Sequence, residues 1–132
     1  SINLDKNKLS LEGILAYNIK TKMPVKDINY HLIDIERESE LSKDFILVDV
    51  REDREWVESH IEGAIHLGKG IIERDISNTI PNKDKLIVLY CQGGFRSALA
   101  GENIIKMGYK NVLSMSGGFS DWANNNFSID KP

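Results

Sequence analysis

The chain has 132 residues, 41% of them apolar, which is typical of one soluble domain with a single core. Its 17 Lys and Arg residues nearly balance its 20 Asp and Glu residues and give a formal charge of -3. This charge is too balanced to suggest a basic surface for nucleic acid or a membrane, so we expect any functional charge to be local.

Cysteine and histidine usage narrows the expected function and location. Cys91 is the one cysteine, so it cannot form an internal disulfide, and the three histidines lack the spacing of a metal site. We therefore expect no metal, and no cofactor either, because no nucleotide-binding glycine motif is present. No apolar run reaches the ~20 residues of a membrane span, and the sequence starts without the apolar stretch of a signal peptide. We expect a cytoplasmic protein with no membrane or nucleic-acid partner.

The first part of the chain has helical periodicity. Apolar residues share one predicted helix face at Leu11, Ile14, Leu15 and Ile19, and a second face at Val25, Ile28, Leu32 and Ile35. Pro24 suits the first turn of the second helix. We predict an N-terminal helical extension over residues 1-22, packed on a domain that spans residues 23-132.

From Phe45 the pattern changes to short apolar runs. Residues 45–48 and 86–90 are continuous and rich in β-branched side chains, which is typical of buried parallel strands. Helical patterns follow at 53–59 and 96–107, and weaker strand candidates follow at 64–67 and 111–114. This alternation predicts an α/β fold with a doubly wound parallel sheet flanked by helices.

Cys91 directly follows the predicted strand that ends at Tyr90, at the place where open α/β sheets bind ligands. Gly93 and Gly94 allow backbone amides to converge on one point, which forms a nest for an anion. Such a nest beside a helix N-terminus stabilises a thiolate. We predict that Cys91 is a nucleophile. The alternative, a cysteine that only fills space in the core, is disfavoured by this order of elements.

Two further candidates end the loop. Arg96 carries a planar set of donors that matches an oxyanion such as the sulfonate of thiosulfate, and the alternative is a solvated arginine in the first helical turn. Ser97 is predicted as the N-cap of the following helix, with a hydroxyl contact to the Cys91 sulfur as the alternative. The loop thus combines a nucleophile with a cation suited to an anionic substrate.

Four motifs in this order resemble the signatures of single-domain rhodaneses. They are Asp49-Val50-Arg51-Glu52, Ser59-His60-Ile61-Glu62-Gly63-Ala64, Cys91-Gln92-Gly93-Gly94-Phe95-Arg96-Ser97 and Ser116-Gly117-Gly118-Phe119-Ser120-Asp121-Trp122. The resemblance covers the chain from residue 23 to about residue 127. It implies a rhodanese-like fold and sulfurtransferase activity.

By this resemblance, Cys91 takes sulfane sulfur from a donor such as thiosulfate and passes it, as a persulfide, to a thiol or cyanide. The implied binding loop comprises Gln92, Gly93, Gly94, Phe95, Arg96 and Ser97. Asp49 and Arg51 would support that loop, and His60 would be structural. The implied partners are a small sulfur donor and a thiophilic acceptor, with a sulfur-relay protein as a further candidate.

Two other functions stay open. Phosphatases and arsenate reductases of the related Cys-loop-Arg type share the nucleophile, but the phosphatase loop is one residue longer than the four residues between Cys91 and Arg96. The second alternative is a noncatalytic rhodanese-like binding module. The presence of both Cys91 and Arg96, the nucleophile and the cation of the loop, argues against a noncatalytic module.

Overall fold

The structure, a computed structural model, describes residues 25–33 and 45–132. Its strands within these ranges are β1 (Lys26–Asn29), β2 (Phe45–Asp49), β3 (His60–Ile61), β4 (Ile65–His66), β5 (Leu86–Tyr90), β6 (Asn111–Ser116) and β7 (Ile129–Asp130). One sheet has the order β1-β6-β5-β2-β4, and every neighbouring pair in it is parallel. The short strands β3 and β7 pair antiparallel in a separate sheet. The strand before Cys91, β5, is therefore central.

Helices cover both faces of the larger sheet. They are α1 (Asp53–Glu58), α2 (Ile72–Thr79), α3 (Phe95–Lys106) and α4 (Gly118–Asn124), and residues 30–33 are also helical. Along β5, Leu89 lies in one buried cluster with α2 and α3, and Tyr90 lies in another with α4. Because successive side chains of a strand point to opposite faces, the two clusters lie on opposite sides of the sheet. The predicted α/β fold is confirmed.

The continuous apolar runs form buried strands, as the sequence predicts. β2 and β5 pair in register, with Phe45 opposite Leu86. Both faces of these strands are covered, which explains why the runs show no alternation of polar and apolar residues. Of the weaker candidates, 64–67 contains β4 and 111–114 begins β6.

The helix predicted from Val25 onward is wrong in its first part, because residues 26–29 are strand β1. This strand pairs with β6 at the sheet edge, where Ile28 lies opposite Met115. Val25 and Ile28 are both buried, but they belong to cores on opposite faces. Their spacing suits either a helix face or a strand buried on both sides, and pairing with β6 decides between them. Helical structure begins at Tyr30.

The predicted N-terminal extension over residues 1-22 lies outside the described residues, as do Pro24 and Ile35. The boundary between the extension and the domain at 23-132 therefore stays a prediction. In the part of the chain that the structure describes, no helix combines the length and the apolar character needed to cross a membrane.

Candidate active site

Cys91 lies at the carboxyl end of the central strand β5, where parallel α/β sheets place their ligands. The next residues, 92–94, form the turn that leads into α3. Cys91 is a free thiol and only 1% exposed. The predicted nucleophile therefore lies within its loop, with limited space around its sulfur.

The loop backbone places a donor directly on the Cys91 sulfur. The amide nitrogen of Gly94 donates a hydrogen bond to Sγ over 3.0 Å. Gly94 is the N-cap of α3 and adopts φ +107°, a left-handed conformation that residues with a Cβ rarely adopt. A negatively charged sulfur here would accept that hydrogen bond near the positive end of the α3 dipole.

Ser97 lies inside α3 and is not its N-cap, which corrects the sequence prediction. Its hydroxyl donates to the carbonyl of Gly94 over 3.1 Å and lies 2.8 Å from the hydroxyl of Ser114. The same hydroxyl lies 3.6 Å from Cys91 Sγ. This hydroxyl–sulfur contact is the alternative to an N-cap role that the sequence analysis gave for Ser97. The helix begins earlier than a serine cap would allow because Gly94 can adopt the left-handed conformation.

The first turn of α4 anchors the start of the loop. The amide of Phe119 donates to the carbonyl of Cys91 over 2.8 Å, and the amide of Ser120 donates to the carbonyl of Gln92 over 3.0 Å. Gly118 precedes these residues with φ +55°, and a Cβ there would collide with the Cys91 carbonyl oxygen. Glycine is therefore needed for α4 to approach the backbone of the candidate nucleophile.

Asp49 and Arg51 form a buried ion pair beside the loop. The Asp49 carboxylate is 0% exposed and accepts from Nε and Nη2 of Arg51, the latter over 2.9 Å. Arg51 also donates to Gln92 Oε1 over 3.1 Å and to the Ser59 carbonyl over 2.6 Å. Burial alone would lower the pKa of Arg51, but the hydrogen bond and charge of Asp49 outweigh it and raise the pKa. This pair connects β2 to the loop.

Arg96 is paired with Glu55 of α1, which binds it through both carboxylate oxygens. Nη1 donates to Oε1 over 2.9 Å, and Nη2 donates to Oε2 over 3.2 Å. The same Oε1 accepts from the amide of Glu52 and so completes a capping box at the start of α1. The Arg96 hydrogen bond is the main cause that lowers the pKa of Glu55 to about 2, so this carboxylate is charged at neutral pH.

We expect Glu55→Gln to lower the free energy of unfolding by about 1 kcal/mol near neutral pH, the upper range for a partly exposed ion pair. Because folding lowers the pKa of Glu55, the pair stabilises the fold above about pH 4.5 and loses its effect as the pH falls through about 2. Urea unfolding of the wild type and the variant at a series of pH values measures this difference.

The exposed Glu58 lies on the same helix, so Glu58→Gln is the matched control for losing one negative charge. It is expected to change the stability by less than about 0.5 kcal/mol at every pH. A stability difference between wild type and Glu55→Gln that persists undiminished near pH 2 would contradict the ion-pair assignment.

The remaining loop residues form the outer rim of the site. Gln92 accepts from Arg51 and donates to Ser120 Oγ over 3.0 Å. Phe95 is 71% exposed, which is unusual for a large apolar side chain. A pocket of about 390 Å³ flanks the loop, lined by Asp27, Gly93, Gly94, Phe95, Ala98, Ser116 and Gly117. The Cys91 sulfur does not line this pocket, so the pocket is adjacent to the nucleophile rather than centred on it.

Two aromatic residues of the predicted motifs have structural contacts. His60 stacks on Trp56 with ring centroids 3.4 Å apart, and its Nδ1 lies 3.0 Å from the Trp56 carbonyl oxygen. Trp122 is 0% exposed, and its indole N–H donates to the Ser128 carbonyl over 2.9 Å. Across residues 25–33 and 45–132, no three His, Cys, Asp or Glu side chains come together in a way that could hold a metal ion.

Two residues of the site were not predicted from the sequence. Glu55 has a sequence signal, since an acid three residues after Glu52 is typical of a capping box, but that signal indicates a helix start and not a partner for Arg96. Ser114 lies in a strand candidate, and its hydroxyl meets Ser97 only because β6 packs beside α3. Both contacts join segments that are distant in sequence.

A cysteine at the end of a central parallel strand, in a glycine-containing loop that ends in an arginine, defines the class of Cys-loop-Arg α/β proteins. Within that class, residues 35–125 match the model of the rhodanese-like domain. The chain belongs to the rhodanese-like family, as its four motifs predict.

Individual relatives carry different functional names. Thiosulfate sulfurtransferase GlpE of Coxiella burnetii is 30% identical over 80 residues, which are 61% of this chain and 73% of that protein. Protein HIGH ARSENIC CONTENT 1, mitochondrial, of Arabidopsis thaliana is 29% identical over 133 residues, covering 92% of this chain and 76% of that protein. The solved structure of RPA3614 from Rhodopseudomonas palustris, named a possible tyrosine phosphatase, has a TM-score of 0.70 at 25% identity and covers 98% and 97% of the two chains.

Proposed function

We propose that the chain is a sulfurtransferase that carries sulfur on Cys91. The Cys91 thiolate attacks the outer sulfur of a donor such as thiosulfate, a new S–S bond forms, the donor's S–S bond breaks, and sulfite leaves with the electron pair. A thiol or cyanide then takes the outer sulfur from the persulfide and regenerates the thiolate. The observation that carries this proposal is the Gly94 amide, which donates over 3.0 Å to Cys91 Sγ.

The space around Cys91 supports transfer of a single sulfur atom over attack on phosphorus. A thiolate that attacks a phosphoryl group must have donors at roughly 3 Å for each of the other oxygens and room for all of them. Cys91 is 1% exposed, and the loop to Arg96 is short. A single added sulfur atom needs less space and fewer hydrogen-bond donors than a phosphoryl group. Sulfite also leaves as a stable anion, so the reaction needs no general acid.

We predict that Arg96→Ala slows sulfur loading from thiosulfate by about tenfold to a hundredfold, the effect of losing one charge-assisted hydrogen bond. Discharge of a preformed persulfide to cyanide is expected to change much less, because that step presents no divalent oxyanion. Single-turnover measurements of the two half-reactions separate these effects.

The matched control is the double variant Arg96→Ala/Glu55→Gln, which removes the carboxylate that Arg96→Ala leaves unpaired. If Arg96 contacts the donor, the double variant is expected to load sulfur about tenfold to a hundredfold more slowly than Glu55→Gln alone. Loading as fast as in Glu55→Gln alone would mean that Arg96 acts only by neutralising Glu55, and an equal loss in both half-reactions would assign Arg96 to holding the loop.

Arsenate reduction is the second candidate function, and the Arabidopsis relative favours testing it because that protein is named for high arsenic content. We expect measurable sulfur transfer from thiosulfate to cyanide and negligible turnover of either arsenate with a thiol reductant or an aryl phosphate. Each assay uses the same preparation with Cys91→Ser as its blank. Turnover of arsenate through Cys91, without transfer from thiosulfate, would replace the sulfurtransferase assignment.

We also infer the kind of acceptor and compartment. A persulfide on Cys91 can pass its sulfur to a small thiol or to the thiol of a sulfur-relay protein. A free, low-exposure cysteine that must remain reduced between turnovers suits a reducing compartment such as the cytoplasm. Identification of persulfidated thiols after incubation with the loaded protein would define the acceptor.

A further inference from the structure

Glu55 neutralises the charge of Arg96, the cation at the end of the loop. Both terminal nitrogens of Arg96 donate to the Glu55 carboxylate, over 2.9 and 3.2 Å. The two side chains are partly covered, at 32% and 19% exposed, so solvent does not fully screen the pair. An anion that approaches Arg96 therefore meets a guanidinium whose charge is already balanced by a carboxylate.

Among the residues that the structure describes, the other charged side chains cited around the loop add no net positive charge to it. Arg51 reaches Gln92, but its guanidinium is bound to the buried carboxylate of Asp49. Glu52 adds a further negative charge that acts on Arg96. The Cys91 thiolate is itself an anion, so a donor with two negative charges encounters more repulsion than a donor with one charge or none.

We propose that Glu55 makes the site discriminate against dianionic sulfur donors such as thiosulfate and favour donors with one negative charge or none, the class that includes organic persulfides. This inference rests on the proposed sulfurtransferase function. Glu55 acts through Arg96, by masking its charge, and does not itself touch the reacting sulfur atoms. Arg96 keeps N–H groups that Glu55 does not occupy, and these orient the donor.

The chemistry is the same for both donor classes and balances without an oxidant. With an organic persulfide, the Cys91 thiolate bonds to the outer sulfur, the S–S bond of the donor breaks, and the organic thiolate leaves with the electron pair. With methanethiosulfonate the leaving group is methanesulfinate, and with thiosulfate it is sulfite. Methanethiosulfonate carries one negative charge and thiosulfate carries two, so the two probes compare charge with similar sulfonyl leaving groups.

The test is the ratio of kcat/KM for thiosulfate to that for methanethiosulfonate, in wild type and in Glu55→Gln. Coulomb energy scales with the charge of the donor, so removing one carboxylate should raise kcat/KM about tenfold for the dianion and about threefold for the monoanion. The ratio is therefore expected to rise about threefold and to approach the wild-type ratio at high salt. Discharge of the persulfide to cyanide, which is a monoanion, is expected to rise by no more than about threefold.

Two variants separate charge masking from a purely structural role. Glu55→Asp keeps the charge while shortening the side chain, so it is expected to keep the wild-type donor ratio. Glu58→Gln removes an exposed charge from the same helix and is also expected to keep that ratio.

In the Cys91→Ser background, Glu55→Gln is expected to tighten sulfate binding, which is measured by calorimetry without any turnover.

The outcomes distinguish failure of the charge-masking inference from failure of the proposed sulfurtransferase function. If wild type loads sulfur from both donors but Glu55→Gln leaves their ratio unchanged, or lowers both rates equally, the charge-masking inference is wrong and the sulfurtransferase function stands. If Glu55→Asp shifts the ratio as much as Glu55→Gln does, geometry rather than charge is responsible and the inference is overturned. If neither donor loads Cys91 of the wild type, the proposed function fails, and this inference fails with it.

Discussion

Cys91→Ser is expected to abolish sulfur transfer, with a loss on the order of a thousandfold or more, because the variant removes the atom that forms the covalent intermediate in the proposed mechanism. A serine hydroxyl can still accept a hydrogen bond from the Gly94 amide, which in wild type donates to Cys91 Sγ over 3.0 Å. The loop should therefore keep its conformation while losing its nucleophile. Rates of thiocyanate formation from thiosulfate and cyanide measure the loss.

The buried position of Cys91 makes the serine variant a sound comparison. The residue is 1% exposed and its carbonyl is held by the Phe119 amide over 2.8 Å, so a change of one atom leaves the backbone contacts in place. Thermal unfolding of the variant is expected to resemble that of the wild type. Transfer that continues in a folded Cys91→Ser variant would contradict the assigned role of this cysteine.

Arg51→Met is expected to cost about 3–5 kcal/mol of unfolding free energy, the range for removing one partner of a buried ion pair. The variant leaves the fully buried Asp49 carboxylate without its guanidinium and also removes the donor to the Ser59 carbonyl. It loses the contact of the guanidinium with the Phe119 ring, whose centroid lies 4.3 Å from Cζ, while methionine keeps much of the apolar volume. Urea unfolding near neutral pH measures the loss.

A double-variant cycle isolates the ion pair from these other contacts. Asp49→Asn/Arg51→Met removes both charges, so its cost is expected to fall below the sum of the two single variants by about 1–3 kcal/mol. Sulfur loading should fall in every variant in which Arg51 no longer holds Gln92. Strict additivity of the two stability losses would show that Asp49 and Arg51 act independently.

The fold could be predicted where the local pattern and the tertiary packing agree. Residues 86–90 are an uninterrupted β-branched run, and they are buried on both faces as the central strand β5. The position of Cys91 follows from that strand alone, because ligands of parallel sheets lie beyond the carboxyl ends of their strands. The α/β class and the reactive loop were therefore predictable from sequence.

The prediction failed at two places, one decided by a distant segment and one by a local backbone conformation. Val25 and Ile28 have a spacing that suits a helix, but pairing of β1 with β6 places Ile28 in a strand that begins directly after Val25. Ser97 has the chemistry of an N-cap, but the left-handed conformation of Gly94 starts the helix earlier. The strand depends on pairing across the sheet, and the helix start depends on a backbone conformation of Gly94 that the residue type allows but does not dictate.

The same limit applies to the charges of the site. Asp49 and Arg51 are two residues apart, and a local motif could indicate their association. Glu55 and Arg96 are 41 residues apart, and their pairing depends on how α1 packs beside the loop. From the sequence, Glu55 is predicted only as part of the helical pattern at 53–59, and its pairing with Arg96 is known from the structure.

The most direct test of sulfur transfer through Cys91 is the intact mass of the protein before and after incubation with thiosulfate, and again after cyanide. Sulfur transfer through Cys91 predicts that thiosulfate adds the mass of one sulfur atom, that cyanide removes it, and that peptide mapping places the added sulfur on Cys91. A wild-type mass that stays unchanged with every sulfane donor, or a sulfur addition that survives in Cys91→Ser, would contradict it.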